Sequence, residues 1–177
     1  SLNTGTSSCG TTGEIAIGSG NAKSGKGGML SLVVGKGASG AGGAIKIEAG
    51  QATACTGGMV TVTSGQGLGT SSGHVSVRTP NAGAAGGSGA LIFSSGTSSS
   101  GTSGSVSIGS GSAYGGKGGA ISITVGAGNS GAGGLINIRA GAGYDETGGE
   151  ILMTSGYGVA STSGAISVLT ANAGKFG

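Results

Sequence analysis

A 15-residue repeat runs through the chain and constrains its fold more than any other feature of the sequence. Eleven units begin at Glu14, Met29, Ala44, Met59, His74, Ala90, Ser105, Ala120, Leu135, Glu150 and Ala165. The unit His74–Gly89 is longer by one residue, the unit that begins at Ala165 is truncated, and the chain before Glu14 forms a twelfth unit that lacks its first two positions. Because one such unit is too small to bury its own apolar face, a chain of this kind is expected to stack its units on one another.

Within each unit, large apolar residues stand at positions 2 and 4, a small or β-branched residue stands at position 6, and position 3 is mostly polar. The apolar pairs in successive units are Ile15/Ile17, Leu30/Leu32, Ile45/Ile47, Val60/Val62, Val75/Val77, Leu91/Phe93, Val106/Ile108, Ile121/Ile123, Ile136/Ile138, Ile151/Met153 and Ile166/Val168. This alternation predicts a strand over positions 1–6 with one buried face. Position 15 is Gly in every complete unit and position 7 is Gly in most units, which predicts turns at both.

A second, longer repeat of 91 residues contains six of the 15-residue units. Residue n corresponds to residue n + 91 without a gap, and 45 of the 86 comparable positions are identical. The sequence therefore predicts one domain over 1–177, with a first block over 1–91 and an incomplete second block over 92–177. Since both ends fall inside a unit, we expect the chain to be a segment of a longer repeat protein.

These patterns predict an all-β fold, a parallel β-solenoid (β-helix) of about twelve 15-residue coils in six-coil blocks, with positions 2, 4 and 6 pointing inward. Adjacent coils would lie about 4.8 Å apart.

Composition supports a repeat fold, because 47 residues are Gly and only 7% are charged. That low charge argues against charge-driven disorder, and the single Pro argues against collagen. In a solenoid, Ile123→Asp would bury an unpaired charge, whereas Ser122→Asp on the outer face would be nearly silent.

No group of residues indicates a catalytic, cofactor-binding or metal site, and we predict no enzyme activity and no cofactor. The one histidine, His74, has no recurring partner, which favours a surface role over catalysis. Asp145 and Glu146 lack the further ligands that a metal site needs, so a solvated turn is the simpler interpretation. Cys9 and Cys55 lie three units apart, which favours two unpaired thiols over a disulfide, and a link between neighbouring chains is the alternative.

The number and distribution of charged residues indicate which binding partners the sequence favours or excludes. The net charge is only +3 and the basic residues are scattered, so the sequence predicts no nucleic-acid binding. No apolar run reaches the length of a membrane span. Lys26 and Lys117 correspond across the two blocks, whereas Glu48 corresponds to Arg139. Two chains offset by one block would bring Glu48 of one chain beside Arg139 of the other. Neutral sequence drift at solvent-exposed positions is the alternative explanation of this charge difference.

The 91-residue pattern, with segments such as GGAISI, SGAIS and TANAG, resembles long Gly/Ser-rich tandem-repeat surface proteins of algae, diatoms and oomycetes. The resemblance implies an extracellular or cell-surface location. We therefore expect a structural segment of a fibre or filament that associates with itself end to end or laterally. The alternative is an ice-binding or surface-adhesion module. The sequence is uneven for ice binding, because only the pair Thr61 and Thr63 provides two threonines at positions 3 and 5 of a unit.

Overall fold

The computed structural model describes residues 2–171, and this range contains no helix and no β-strand. The prediction of an all-β parallel β-solenoid, or β-helix, is therefore wrong, and so is the prediction of a strand over positions 1–6 of each unit. A strand exists only through hydrogen bonds to a neighbouring strand, and a folded domain makes roughly one internal hydrogen bond per residue. The described residues make four hydrogen bonds between backbone groups, and none of them joins one unit to the next.

Each of the eleven repeat units that end between Gly13 and Gly164 is coil with a single bend. The bends lie at 8–10, 23–25, 38–40, 53–55, 68–70, 84–86, 99–101, 114–116, 129–131, 144–146 and 159–161. They occupy positions 10–12 of the unit, one residue later in the long unit His74–Gly89, rather than the predicted positions 7 and 15. Four bends end on a glycine with positive φ, namely Gly10, Gly25, Gly86 and Gly101. Among the described residues, these four are the positions at which the backbone adopts the positive φ that glycine permits.

Each bend lies within a loop that closes on itself, and we call positions 7–15 of a unit the closed loop. In four units the N–H of position 15 donates to the carbonyl oxygen of position 7. These bonds are Gly58 to Gly50 at 2.9 Å, Gly73 to Gly65 at 2.9 Å, Gly149 to Gly141 at 3.0 Å and Gly164 to Gly156 at 2.8 Å. In two further units the position-6 hydroxyl closes the loop, since Ser19 Oγ donates to the Gly28 carbonyl at 3.0 Å and Ser110 Oγ to that of Gly119 at 2.8 Å.

Loop closure explains the glycine at position 15. In the eleven units that end on a glycine between Gly13 and Gly164, a Cβ on that glycine would meet the position-6 side chain. At Gly58 the Cβ would lie 3.2 Å from both the Ala49 Cβ and the Gly50 nitrogen, and at Gly119 it would lie 3.2 Å from the Ser110 Cβ. None of these unit-ending glycines has a positive φ. In these units the glycine allows close approach of two chain segments and does not make a turn, whereas at Gly13, Gly73, Gly104 and Gly164 a Cβ would make only an ordinary contact of 3.5 Å or more.

The chain divides into two units of structure, Ser1–Leu91 and Ile92–Gly177. They share the same hydrogen bonds, although Gly25 has a positive φ and its counterpart Gly116 does not. The four loop-closing backbone bonds form two pairs whose members are 91 residues apart, and the Ser19 and Ser110 bonds form a third. A fourth pair lies at the bends, where Ser7 Oγ donates to the Cys9 carbonyl at 2.9 Å and Ser98 Oγ to the Ser100 carbonyl at 3.1 Å.

No residue in the described range is buried. The solvent-accessible surface is 17,513 Å², whereas a folded monomer of this mass exposes roughly 7,000 Å². The predicted inward positions therefore form no core. Ile123 is 70% exposed, so Ile123→Asp buries no charge in the isolated chain and the expected destabilisation loses its basis. Apart from Gly67, the residues that are partly sheltered all stand at position 6: Thr4, Ala49, Ser64, Thr79, Ala140 and Ser155.

Candidate functional site

The residues with the most reactive side chains are dispersed. His74 is exposed, and Asp145 and Glu146 lie on the exposed bend 144–146. Within residues 2–171 there is no cavity and no cluster of three His, Cys, Asp or Glu side chains that could hold a metal ion. The absence of catalytic, cofactor-binding and metal-binding residues stays a prediction from the sequence.

The most regular chemical feature is the recurrence of exposed, large apolar side chains at positions 2 and 4 of the units, aliphatic except for Phe93 and Met153, and we call this set the aliphatic row. The side chains at position 2 are about half covered, with exposed fractions from 46% at Ile15 to 57% at Leu30. Those at position 4 range from 60% at Val77 to 84% at Val168. The row appears in both structural units. Apolar surface of this extent is normally covered by another molecule or by the protein itself.

The backbone beside the aliphatic row is also available for binding. No main-chain N–H or C=O group at positions 1–6 of a unit has a protein hydrogen-bond partner in the described part of the chain. Those groups are satisfied by water in the isolated chain. Positions 1–6 therefore combine alternating apolar side chains with unpaired backbone groups, whereas positions 7–15 form the closed loop.

Most charged groups and both thiols of the described residues lie at positions 1–5 of a unit or on the bends, and Lys26, Lys36 and Lys117 lie elsewhere in the closed loops. Among the described residues a single ion pair forms, with Lys46 Nζ 2.7 Å from Glu48 Oε2. Both side chains are mostly exposed, and exposed pairs of this kind contribute about 0–1 kcal/mol. Cys9 and Cys55 are free and exposed, each on a bend. The Ser7 hydroxyl holds the main chain at Cys9 through the bond described above.

Reasoning from sequence misses the closed loop. A signal for it is present, because Gly at position 15 always accompanies a small or β-branched residue at position 6, nine residues earlier in a 15-residue unit. That pairing indicates close approach of the two positions. Glycine more often marks a positive φ than a close contact, so the pattern by itself predicts a turn instead.

The residues from 2 to 171 include no helix of sufficient length and apolar character to traverse a bilayer. No protein-family model, curated protein or solved structure matches the chain.

Proposed function

We propose that this chain is a non-catalytic structural segment of an extracellular fibre or cell-surface filament, and that it assembles by associating with further copies of itself. The observation that carries the proposal is the aliphatic row, which recurs in every unit and is left in water by the isolated chain. The location rests on the resemblance of the repeat to surface proteins and not on the geometry.

The energetics favour association along the row. Complete burial of a Val, Leu or Ile side chain contributes about 1.5–3 kcal/mol. Because the side chains of the row are half to four-fifths exposed, each can still gain about 1 kcal/mol on binding a partner. A specific interface requires about 800 Å² from each partner. A row that recurs in every unit reaches this area when several units are engaged together, so a long contact is favoured over a point contact.

The backbone supports the same proposal. Unpaired N–H and C=O groups beside alternating apolar side chains are a template for a second chain. A copy of this chain presents the same spacing of apolar residues and backbone groups at every unit. It therefore fits the row over its whole length, whereas a protein without the 15-residue period would lose register within one unit.

Light scattering and electron microscopy of the purified 177-residue chain at micromolar concentration test the proposal. We expect elongated assemblies whose formation depends on concentration. Ile123→Asp should raise the concentration needed for assembly, because a charge in the row would be desolvated on association. Ser122→Asp is the matched control, since it adds the same charge at the neighbouring position outside the row.

A chain that stays monomeric at these concentrations would contradict the proposal. Equal effects of Ile123→Asp and Ser122→Asp would show that the aliphatic row is not the contact. A monomer that instead adsorbs to ice crystals or to a solid surface would favour the ice-binding or adhesion alternative.

A further inference from the structure

We infer that neighbouring copies associate along the aliphatic row with an offset of one 91-residue block, so that the first block of one copy lies against the second block of the next. The inference rests on the proposed function and specifies its partner and register. The partner is a second copy of this chain.

Local structure permits this register. All eight hydrogen bonds of the described residues fall into four pairs whose members are 91 residues apart. The bends follow the same rule, since 8–10 corresponds to 99–101 and 68–70 to 159–161. The apolar pair of each unit in the first block has an apolar pair at the equivalent position of the second. An offset of one block therefore aligns the apolar residues, bends and closed loops of one copy with the same features of the next copy.

Charge decides between this register and an unshifted one. The chain has 8 Lys and Arg and 5 Asp and Glu residues, and a parallel alignment without offset places every one opposite an identical charge. With the one-block offset, the only like-charged alignment is Lys26 with Lys117, and Glu48 gains an opposite charge in Arg139. Every other charged residue faces an uncharged one. Like charges placed directly opposite one another disfavour association.

The offset retains the apolar contact. In an assembly with this stagger, each copy uses its first block against one neighbour and its second block against another, so the aliphatic row is engaged along the whole chain. A longer offset, by eight units, would bring Asp145 and Glu146 beside Lys23 and Lys26, which is a better match of charge. That register overlaps less than a third of the chain and leaves its middle uncovered. Since apolar burial outweighs exposed ion pairs, the one-block offset is favoured over the eight-unit offset.

Cysteine cross-linking tests the register directly. Residue 100 lies one block after Cys9, and both stand on bends. The double variant Cys55→Ser, Ser100→Cys is prepared with ¹⁴N and with ¹⁵N. Equal amounts of the two preparations are mixed, allowed to assemble and treated with a short bismaleimide. We expect peptides that link Cys9 of one isotope to residue 100 of the other. The matched control is Gly115→Cys, which places the thiol at the same bend position one unit later, in open space, and should give at most a tenth of that yield.

Links that join Cys9 only to Cys9 would show the unshifted register and overturn the inference, while leaving the fibre proposal intact. Equal yields at residues 100 and 115, or links confined to one isotope, would also overturn it. Absence of assembly under microscopy would contradict the proposed function itself, and the inference with it. The two failures are therefore distinguishable.

Charge substitution provides a second test. Lys117→Glu should lower the concentration needed for assembly by about two- to fivefold, because it turns the alignment with Lys26 into an attraction. Lys26→Glu should do the same, and the double variant should return to the original value. In the unshifted register neither single change would help, because Glu would then face Glu. Lys36→Glu is the control, since residue 36 faces Ala127 at this offset.

Discussion

At the residue scale, the chain uses glycine for two different purposes. The glycine that ends each unit lies against the position-6 side chain, whereas Gly10, Gly25, Gly86 and Gly101 supply a positive φ within a bend. The first use depends on the absence of a Cβ, and the second depends on backbone freedom. A substitution should therefore act on loop closure at one set of positions and on bend geometry at the other.

Gly58→Ala tests the first use. The added Cβ would lie 3.2 Å from the Ala49 Cβ and from the Gly50 nitrogen, so the two segments must separate by a few tenths of an ångström and the 2.9 Å bond from the Gly58 N–H to the Gly50 carbonyl should weaken. The expected loss is about 0.5–1.5 kcal/mol of loop closure. The temperature coefficient of the residue-58 amide proton measures it. Gly57→Ala is the matched control, because its Cβ would make only an ordinary 3.6 Å contact with the Gly50 carbonyl oxygen. Similar coefficients in the two variants would contradict the steric account.

At the scale of the repeat unit, the bend and the closed loop are the local elements of this chain. Gly101→Ala should strain the bend 99–101, because φ is +108° at that residue, at a cost of about 1–3 kcal/mol. Gly116→Ala stands at the same position of the next bend, without a positive φ and with open space around it, and should be tolerated. Backbone scalar couplings across residues 98–101 report the change. An unaltered bend in Gly101→Ala would show that the positive φ is not required.

The hydroxyl at position 6 contributes to closure in particular units. Ser110→Ala removes the 2.8 Å bond to the Gly119 carbonyl and should increase the separation of residues 110 and 119. Ser95→Ala is the control, since Ser95 stands at the same position but its hydroxyl makes no hydrogen bond among the described residues. Fluorescence transfer between dyes on either side of the loop compares the two variants. Equal transfer in both would mean that side-chain packing alone closes the loop.

These elements also show what a sequence can and cannot predict. The bends recur with the 15-residue period, because a bend depends on a few adjacent residues whose identities repeat. The strands predicted over positions 1–6 do not form, because a strand requires a hydrogen-bonded partner. The alternation of Ile121, Ser122 and Ile123 indicates only which face of a strand would be buried, and not whether a partner strand is present. The closed loop requires a contact between positions 6 and 15, and the pairing of Gly with a small or β-branched residue at these positions also fits a turn, so the pattern alone does not specify the contact. At the candidate site, the sequence predicts the apolar positions of the aliphatic row but not their exposure, which depends on whether the units stack.

At the scale of the whole molecule, the decisive property is that apolar side chains and backbone groups are both exposed in the isolated chain. The aliphatic row and the unpaired N–H groups stand on the same six positions of each unit. Any partner that covers the row must therefore also determine what those backbone groups bond to. Desolvation of a backbone group without a new bond costs about 1–3 kcal/mol, so apolar burial and backbone pairing are expected to occur together.

Amide hydrogen exchange measured as a function of concentration tests this coupling. Below the concentration at which assemblies form, amides at positions 1–6 should exchange at the rate of an unstructured chain, because in the described range they have no protein partner. The loop-closing amides of Gly58, Gly73, Gly149 and Gly164 should exchange somewhat more slowly. Above that concentration, protection should appear at positions 1–6 of both blocks together, since each block binds a neighbour. Protection of positions 1–6 that persists on dilution would mean that the isolated chain pairs these groups within itself, which would contradict the coil structure and the need for a second copy.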